Sequence, residues 1–177
     1  HSLQGHLLLA MPSLNTGLFS KSVTYICEHG EKGTMGLIIN RPLDLTVSEI
    51  FNHLKIDSVG DYSCDSVMAG GPVHVDQGFV LHRDANSCWE VCTNISDEVL
   101  LTTSKDILKA IAQNKGPKEH LIALGYAGWS PGQLEEELNQ NSWLTTPADS
   151  DIIFSTPYEE RLSAAAAKIG VDINLIS

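Results

Sequence analysis

Long apolar runs are missing from this chain. Near its start the longest aliphatic stretch is Leu7 to Met11, far below the roughly 18 residues a membrane-crossing helix needs. No membrane span is expected. The stretch His1-Ser2-Leu3-Gln4 has no basic start and no long apolar segment follows it. A secretory signal is therefore not expected, and the expected compartment is the cytoplasm. Cations are scarce: Lys and Arg number 11 against 22 Asp and Glu, for a net charge of −11, and only three of the cations are arginines. Nucleic-acid backbones are gripped by Lys and Arg that release counterions, so direct nucleic-acid binding is not expected. The best basic stripe is Lys105, Lys109, Lys115 and Lys118, with no Arg and no aromatic residue between them; it reads as a solvated face. Cysteine is limited to Cys27, Cys64, Cys88 and Cys92, which read as free thiols of a reducing compartment. Cys88 and Cys92 lack CxxC spacing and a nearby histidine. Neither a metal site nor a cofactor is expected.

What is present is ordinary globular composition. The chain has 177 residues and 42% hydrophobic residues, enough for one domain over residues 1–177 that buries roughly 70% of its unfolded surface. His6 to Ala10 reads as a strand closed by Pro12. Ser22 to His29 and Thr34 to Asn40 read as a hairpin across Gly30-Glu31-Lys32-Gly33. Thr46 with Glu49 forms a capping box opening a helix with Ile50, Phe51 and Leu54 on its apolar face. Ser66 to Ala69, Gln77 to His82, Trp89 to Thr93, Glu98 to Leu101 and His120 to Tyr126 read as further strands. Ile107, Leu108, Ile111 and Ala112 recur at helical spacing and predict a helix over Ser104 to Asn114. Ser130, Pro131 and Gln133 read as another helix start, and Thr156-Pro157-Tyr158-Glu159 as the start of a helix running to Ile169, ended by Gly170. Strands come first and then mix with helices, with early hairpin signals. That order points to an α+β fold with a mixed or antiparallel sheet rather than a doubly wound one.

Several motifs carry possible chemistry. Gly128-Trp129-Ser130-Pro131-Gly132 matches G-x-S-x-G between a strand and a helix. Pro131 removes the backbone N–H that would complete an oxyanion hole, and no histidine follows Ser130, so Ser130 reads as a helix cap. Cys27-Glu28-His29 would place Cys27 and His29 on one strand face and Glu28 on the other, with about 6.5 Å between the first two. That is too far for a thiol–imidazole pair. Asn40-Arg41-Pro42 ends an apolar strand, where Arg41 suits a salt bridge or a bidentate anion. Gly70-Gly71-Pro72 allows close backbone approach of a strand or a ligand. His74 and Asp76 would share one face of an extended stretch, two ligands without a third.

These residues resemble a known family. Gly5-His6-Leu7-Leu8-Leu9-Ala10-Met11-Pro12, Ser22-Val23-Thr24-Tyr25-Ile26-Cys27-Glu28-His29 and Gly36-Leu37-Ile38-Ile39-Asn40-Arg41-Pro42 are similar to the bacterial YqgE/AlgH family. So are Gly70-Gly71-Pro72-Val73, Gly78-Phe79-Val80-Leu81-His82 and Gly125-Tyr126-Ala127-Gly128-Trp129. The likeness continues through Pro131-Gly132-Gln133-Leu134-Glu135, Glu137, Asn141, Trp143-Leu144 and Pro147-Ala148-Asp149. The resemblance implies a cytosolic α+β protein with a strongly bent, barrel-like sheet and without an established enzymatic activity. Some members of the family are called transcriptional regulators on genetic grounds. The chain departs from the family at Thr16-Gly17, where Asp-Pro is common, and at Gln77, where an Arg often stands.

The expected function is a small-ligand-binding or regulatory protein, with an unidentified small molecule or protein as partner. Its cleft would gather Asn40, Arg41, Gly70, Gly71, Trp129 and Gln133, with Glu28 and His29 near, because these residues end otherwise apolar strands. Trp129 would form an aromatic wall and Arg41 the charge partner. The alternative is a small enzyme around Arg41 with Glu28, His29, His82 and Glu137 as acid–base candidates. A third reading, a DNA-contacting regulator, needs a recognition helix after Ser104 to Asn114, where the sequence reads as a strand.

Overall fold

A computed structural model describes residues 2–11, 19–83 and 89–170. Pro12, Thr16, Gly17 and Cys88 lie outside these residues. The strands are β1 (His6–Ala10), β2 (Val23–Gly30), β3 (Gly33–Ile38), β4 (Pro42–Thr46), β5 (Ser66–Ala69), β6 (Val73–His82), β7 (Cys92–Asn94), β8 (Leu100–Thr102), β9 (His120–Trp129) and β10 (Trp143–Pro147). The helices are α1 (Val47–His53), α2 (Lys105–Ala112), α3 (Gln133–Asn139), α4 (Ser150–Phe154) and α5 (Arg161–Lys168), the last preceded by a 3-10 turn at Tyr158–Glu160. The protein is α+β: a strongly curled sheet runs in the order β10-β1-β2-β3-β9-β6-β8-β7, all of it antiparallel. β4 pairs antiparallel with β5, which in turn adds to β9 in parallel.

At β1 both faces of the sheet are buried, which explains the unbroken apolar run of that strand. Successive strand residues point to opposite faces. Leu7 and Leu9 join a core with Tyr25, Leu37, Phe79 and Leu81, capped by Ile152 and Ile153 of α4 and Ala165 and Ala166 of α5. Leu8 and Ala10 face the other way, with Ile26, Trp129, Trp143 and Leu134 of α3. Farther along that second face, Val80 and Ile122 carry α1 and α2 through Ile50, Phe51, Ile107, Leu108 and Ile111.

Two local devices set the alternation. Gly125 has φ +78°, in the left-handed region only glycine enters without strain. Beyond it the side chains of β9 change parity: Ala123 and Tyr126 pack on the α4–α5 side, while Ala127 and Trp129 meet α3. A register shift between Ile26 and Glu28 does the same to β2. Cys27 therefore lies in the α4–α5 core and His29 contacts Glu135 of α3. The two do not share a strand face as regular alternation predicts.

The helix starts follow local chemistry in part. Thr46 and Glu49 form the complete capping box. Gln133 reaches back to accept the N–H of Ser130 at 2.9 Å, but the Ser130 hydroxyl is not the cap. Gly132 sits at φ +81° and delays the start of α3. Thr156 donates its hydroxyl to the Asp151 carbonyl instead of capping, so the 3-10 turn intervenes before α5. Gly170 follows α5 at φ +73°, the left-handed end its position predicts.

Candidate functional site

The residues expected to share one cleft are divided by the fold. Trp129 pairs across from Thr34 at the start of β3, whereas Asn40 and Arg41 follow its far end. The intervening strand separates them by roughly 20 Å. Asn40 accepts the Val23 N–H at 2.9 Å and donates to the Lys21 carbonyl at 3.0 Å. Arg41 donates to the Ser20 carbonyl at 2.8 Å. Together they clasp the backbone that leads into β2. Gly70 and Gly71 lie against β9: a Cβ at Gly70 would come 2.3 Å from the Gly125 oxygen, and one at Gly71 would come 2.1 Å from the Tyr126 carbonyl carbon. Strand packing is what their missing side chains allow.

A second group does assemble, on α3. Glu137 accepts the indole N–H of Trp129 at 3.2 Å and of Trp143 at 2.9 Å, and the amide of Gln133 at 2.9 Å. His29 accepts the Leu3 N–H at Nδ1, 2.8 Å away, which leaves Nε2 to donate toward Glu135 at 3.3 Å. Glu28 is exposed. Trp129 and Trp143 are buried, with Phe19 within 6.2 Å of both rings. This network ties α3 to β9 and β10 and leaves no open wall.

The other acid–base candidates are also committed. His82 is fully buried, with Nε2 2.7 Å from the Thr102 hydroxyl. Burial pushes the Cys27 thiol far above its ordinary range, with the Glu28 charge adding to it, so this thiol has no nucleophilic thiolate at neutral pH. His74, at φ +47°, has its ring by Tyr126, and it borders a surface hollow together with Asp76. Among the described residues no three His, Cys, Asp or Glu side chains gather closely enough to hold a metal ion.

A larger open cavity lies elsewhere. A groove of about 860 Å³ runs between α1 and α2 above β6 and β9, within the range of small-molecule sites. Leu45, Ile50, Leu54, Val80, Leu108, Ile122 and Leu124 form its floor and walls. Glu49, His53, Asp76, Gln77, Ser104 and Lys105 form a polar rim of both charge signs. Asp106 secures the rim from behind: it accepts the Ser104 hydroxyl and the N–H groups of Glu90 at 2.8 Å and Ile107 at 2.9 Å. Thr102, the partner of His82, also borders the groove. Gly78 opens onto it on the same strand face as Val80, and a Cβ there would meet nothing within 4 Å. None of the eight residues expected at the cleft lines this groove. Its residues come from four separate segments and form no motif; the one signal in the sequence was the apolar face shared by the two helices.

A sequence profile described as AlgH-like matches residues 7–174. The chain belongs to the AlgH-like family. A UPF0301 protein of Saccharophagus degradans is 53% identical over 176 residues, covering 99% of this chain and 86% of that protein. A UPF0301 protein of Nitrosococcus oceani is 50% identical over 175 residues, covering 98% and 93%. The solution structure of the AlgH protein from Pseudomonas aeruginosa is similar at a TM-score of 0.84 and 47% identity, over 98% of this chain and 92% of that one. A crystal structure from Corynebacterium diphtheriae, at 21% identity and a TM-score of 0.79 over 98% and 90%, shares the fold. The AlgH-like fold thus accounts for the curled sheet expected from the resemblance. No helix among the described residues is long and apolar enough to cross a membrane.

Proposed function

We propose that this protein binds a small amphiphilic molecule in the groove between α1 and α2, and that binding rather than catalysis is its task. One observation carries the reading: an apolar-floored cavity of about 860 Å³ rimmed by hydrogen-bonding and charged side chains. The floor suits an aliphatic or aromatic body. The rim suits a polar head, which Gln77 and Lys105 would orient. Binding without chemistry is supported by the dispersal of Glu28, His29, His82 and Glu137, none of which lines the groove. A regulatory role would act through this ligand. Direct contact with DNA finds little support in a net charge of −11 or in a helix α2 followed by strand β9. Work in the cytoplasm fits the free thiols of Cys27, Cys64 and Cys92.

A thermal-shift screen against medium-chain fatty acids, aromatic carboxylic acids and the corresponding amines tests this directly. Compounds are expected to stabilise the wild type and to lose that effect in Gly78→Phe, whose ring fills the groove from open space. Equal stabilisation of both proteins, or of neither, contradicts the proposal.

A further inference from the structure

A second cavity lies at the N-terminal ends of the parallel strands β5 and β9. It has a volume of about 330 Å³ and is bordered by Ser66 and Met68 of β5, Lys118, His120 of β9, Phe154 of α4, Tyr158 and Arg161. Arg161 is 9% exposed, unusual for a guanidinium without a carboxylate beside it. Its Nε donates to the carbonyls of Ile152 at 3.1 Å and Thr156 at 3.0 Å, and its Nη1 donates to the carbonyl of Ile39. These three neutral acceptors hold α5 against the sheet but do not balance the charge. No carboxylate of the described residues lies within 4.0 Å of it. A guanidinium has five N–H donors, and Nη2 donates to none of the described residues.

The surroundings point the same way. Lys118 borders the cavity and forms no ion pair with the described residues. Glu119 borders it too but is engaged by Arg83 at 2.7 Å, which also holds Asp151 at 2.9 Å. Asp65 is the carboxylate on the rim that opposes an anion. Tyr158, Ser66 and His120 also line it and carry hydrogen-bonding groups, His120 with its Nδ1 2.9 Å from the Pro117 carbonyl. Burial lowers the Arg161 pKa to about 10, a sign that the cation is held where water compensates it poorly.

We propose that this cavity is an oxyanion site in which Arg161 and Lys118 bind one phosphate or carboxylate group of a small metabolite. Arg161 supplies the fixed planar donor, already oriented by three carbonyls, and Lys118 supplies the mobile charge at the mouth. Of its lining residues only Ile122 is shared with the groove between α1 and α2, and the proposal does not depend on that groove.

The test is a ¹H–¹⁵N NMR titration with sodium phosphate and, separately, sodium acetate, each against sodium chloride at matched ionic strength. Saturable shifts are expected at the Arg161 Nε–H and at the amides of Lys118, His120 and Tyr158. Lys118→Ala, an exposed substitution that leaves the fold intact, is expected to weaken the tighter anion at least threefold. Arg161→Lys keeps a cation without the fork and is expected to abolish saturation; its fold is checked by the dispersion of the same spectra. Stronger phosphate than acetate response assigns a phosphoryl group, and the reverse assigns a carboxylate. Linear shifts without saturation, or saturation unchanged in Lys118→Ala, overturn the proposal.

Discussion

The indole N–H of Trp143 donates to Glu137 at 2.9 Å, and the indole of Trp129 donates to the same carboxylate oxygen. One side chain on α3 thus satisfies two buried aromatics from β9 and β10. Glu137→Leu leaves both indoles without an acceptor and is expected to cost about 2–4 kcal/mol, since each stranded donor costs roughly 1–3 kcal/mol. Glu137→Gln keeps one acceptor oxygen and is expected to lose less. Urea unfolding followed by tryptophan fluorescence measures both. Equal stability of the Leu variant and the wild type would remove the structural role assigned to this carboxylate.

Gly71 and Gly78 stand seven positions apart in sequence and differ completely in what surrounds them. A Cβ at Gly71 meets the Tyr126 backbone at 2.1 Å, and one at Gly78 meets nothing within 4 Å. Gly71→Ala is expected to destabilise by about 3 kcal/mol or more, because the clash is with backbone that cannot rotate away. Gly78→Ala is expected to stay within about 1 kcal/mol of the wild type. Thermal unfolding of the two variants side by side decides it.

Much of this fold was legible in the residues. Thr46 and Glu49 announce α1, the Ile107-Leu108-Ile111-Ala112 spacing announces α2, and the hairpin of β2 and β3 lies within one or two residues of its expected ends. β4, β10 and α4 were not legible. Each is five residues long, too short to show a period; Trp143 to Pro147 become a strand because β1 lies beside them, and Pro42 to Thr46 because β5 does. The candidate site was less legible still. Polar groups ending apolar strands suggested one mouth, yet Asn40 and Arg41 bind nearby backbone, Gly70 and Gly71 pack on β9, and Trp129 is sealed by Glu137. The groove lies between two amphipathic helices that do not fully close over Val80 and Ile122. How far two helices stand apart is set by tertiary packing, which no local spacing records.

Asp106 links the groove to pH. Burial raises its pKa, but the hydrogen bonds from the Ser104 hydroxyl and from backbone N–H groups outweigh burial, and the net shift is downward. A carboxylate held below its unfolded pKa of about 3.9 adds stability above that pH and loses it as pH falls through the folded value. Wild type is therefore expected to exceed Asp106→Asn in stability at pH 6, with the gap narrowing as pH falls from about 4 toward 2. Urea midpoints at a series of pH values measure this. A gap of constant size over that range contradicts it.

The most direct measurement is methyl NMR on Ile, Leu and Val-labelled protein, titrated with the best amphiphile from the thermal screen. The methyls of Ile50, Leu54, Val80, Leu108, Ile122 and Leu124 are expected to move together and saturate at one affinity, and Gly78→Phe is expected to abolish the response. Saturable movement confined to Leu8, Ile26 and Leu134 beneath α3, with the groove methyls unmoved, would contradict a ligand site between α1 and α2.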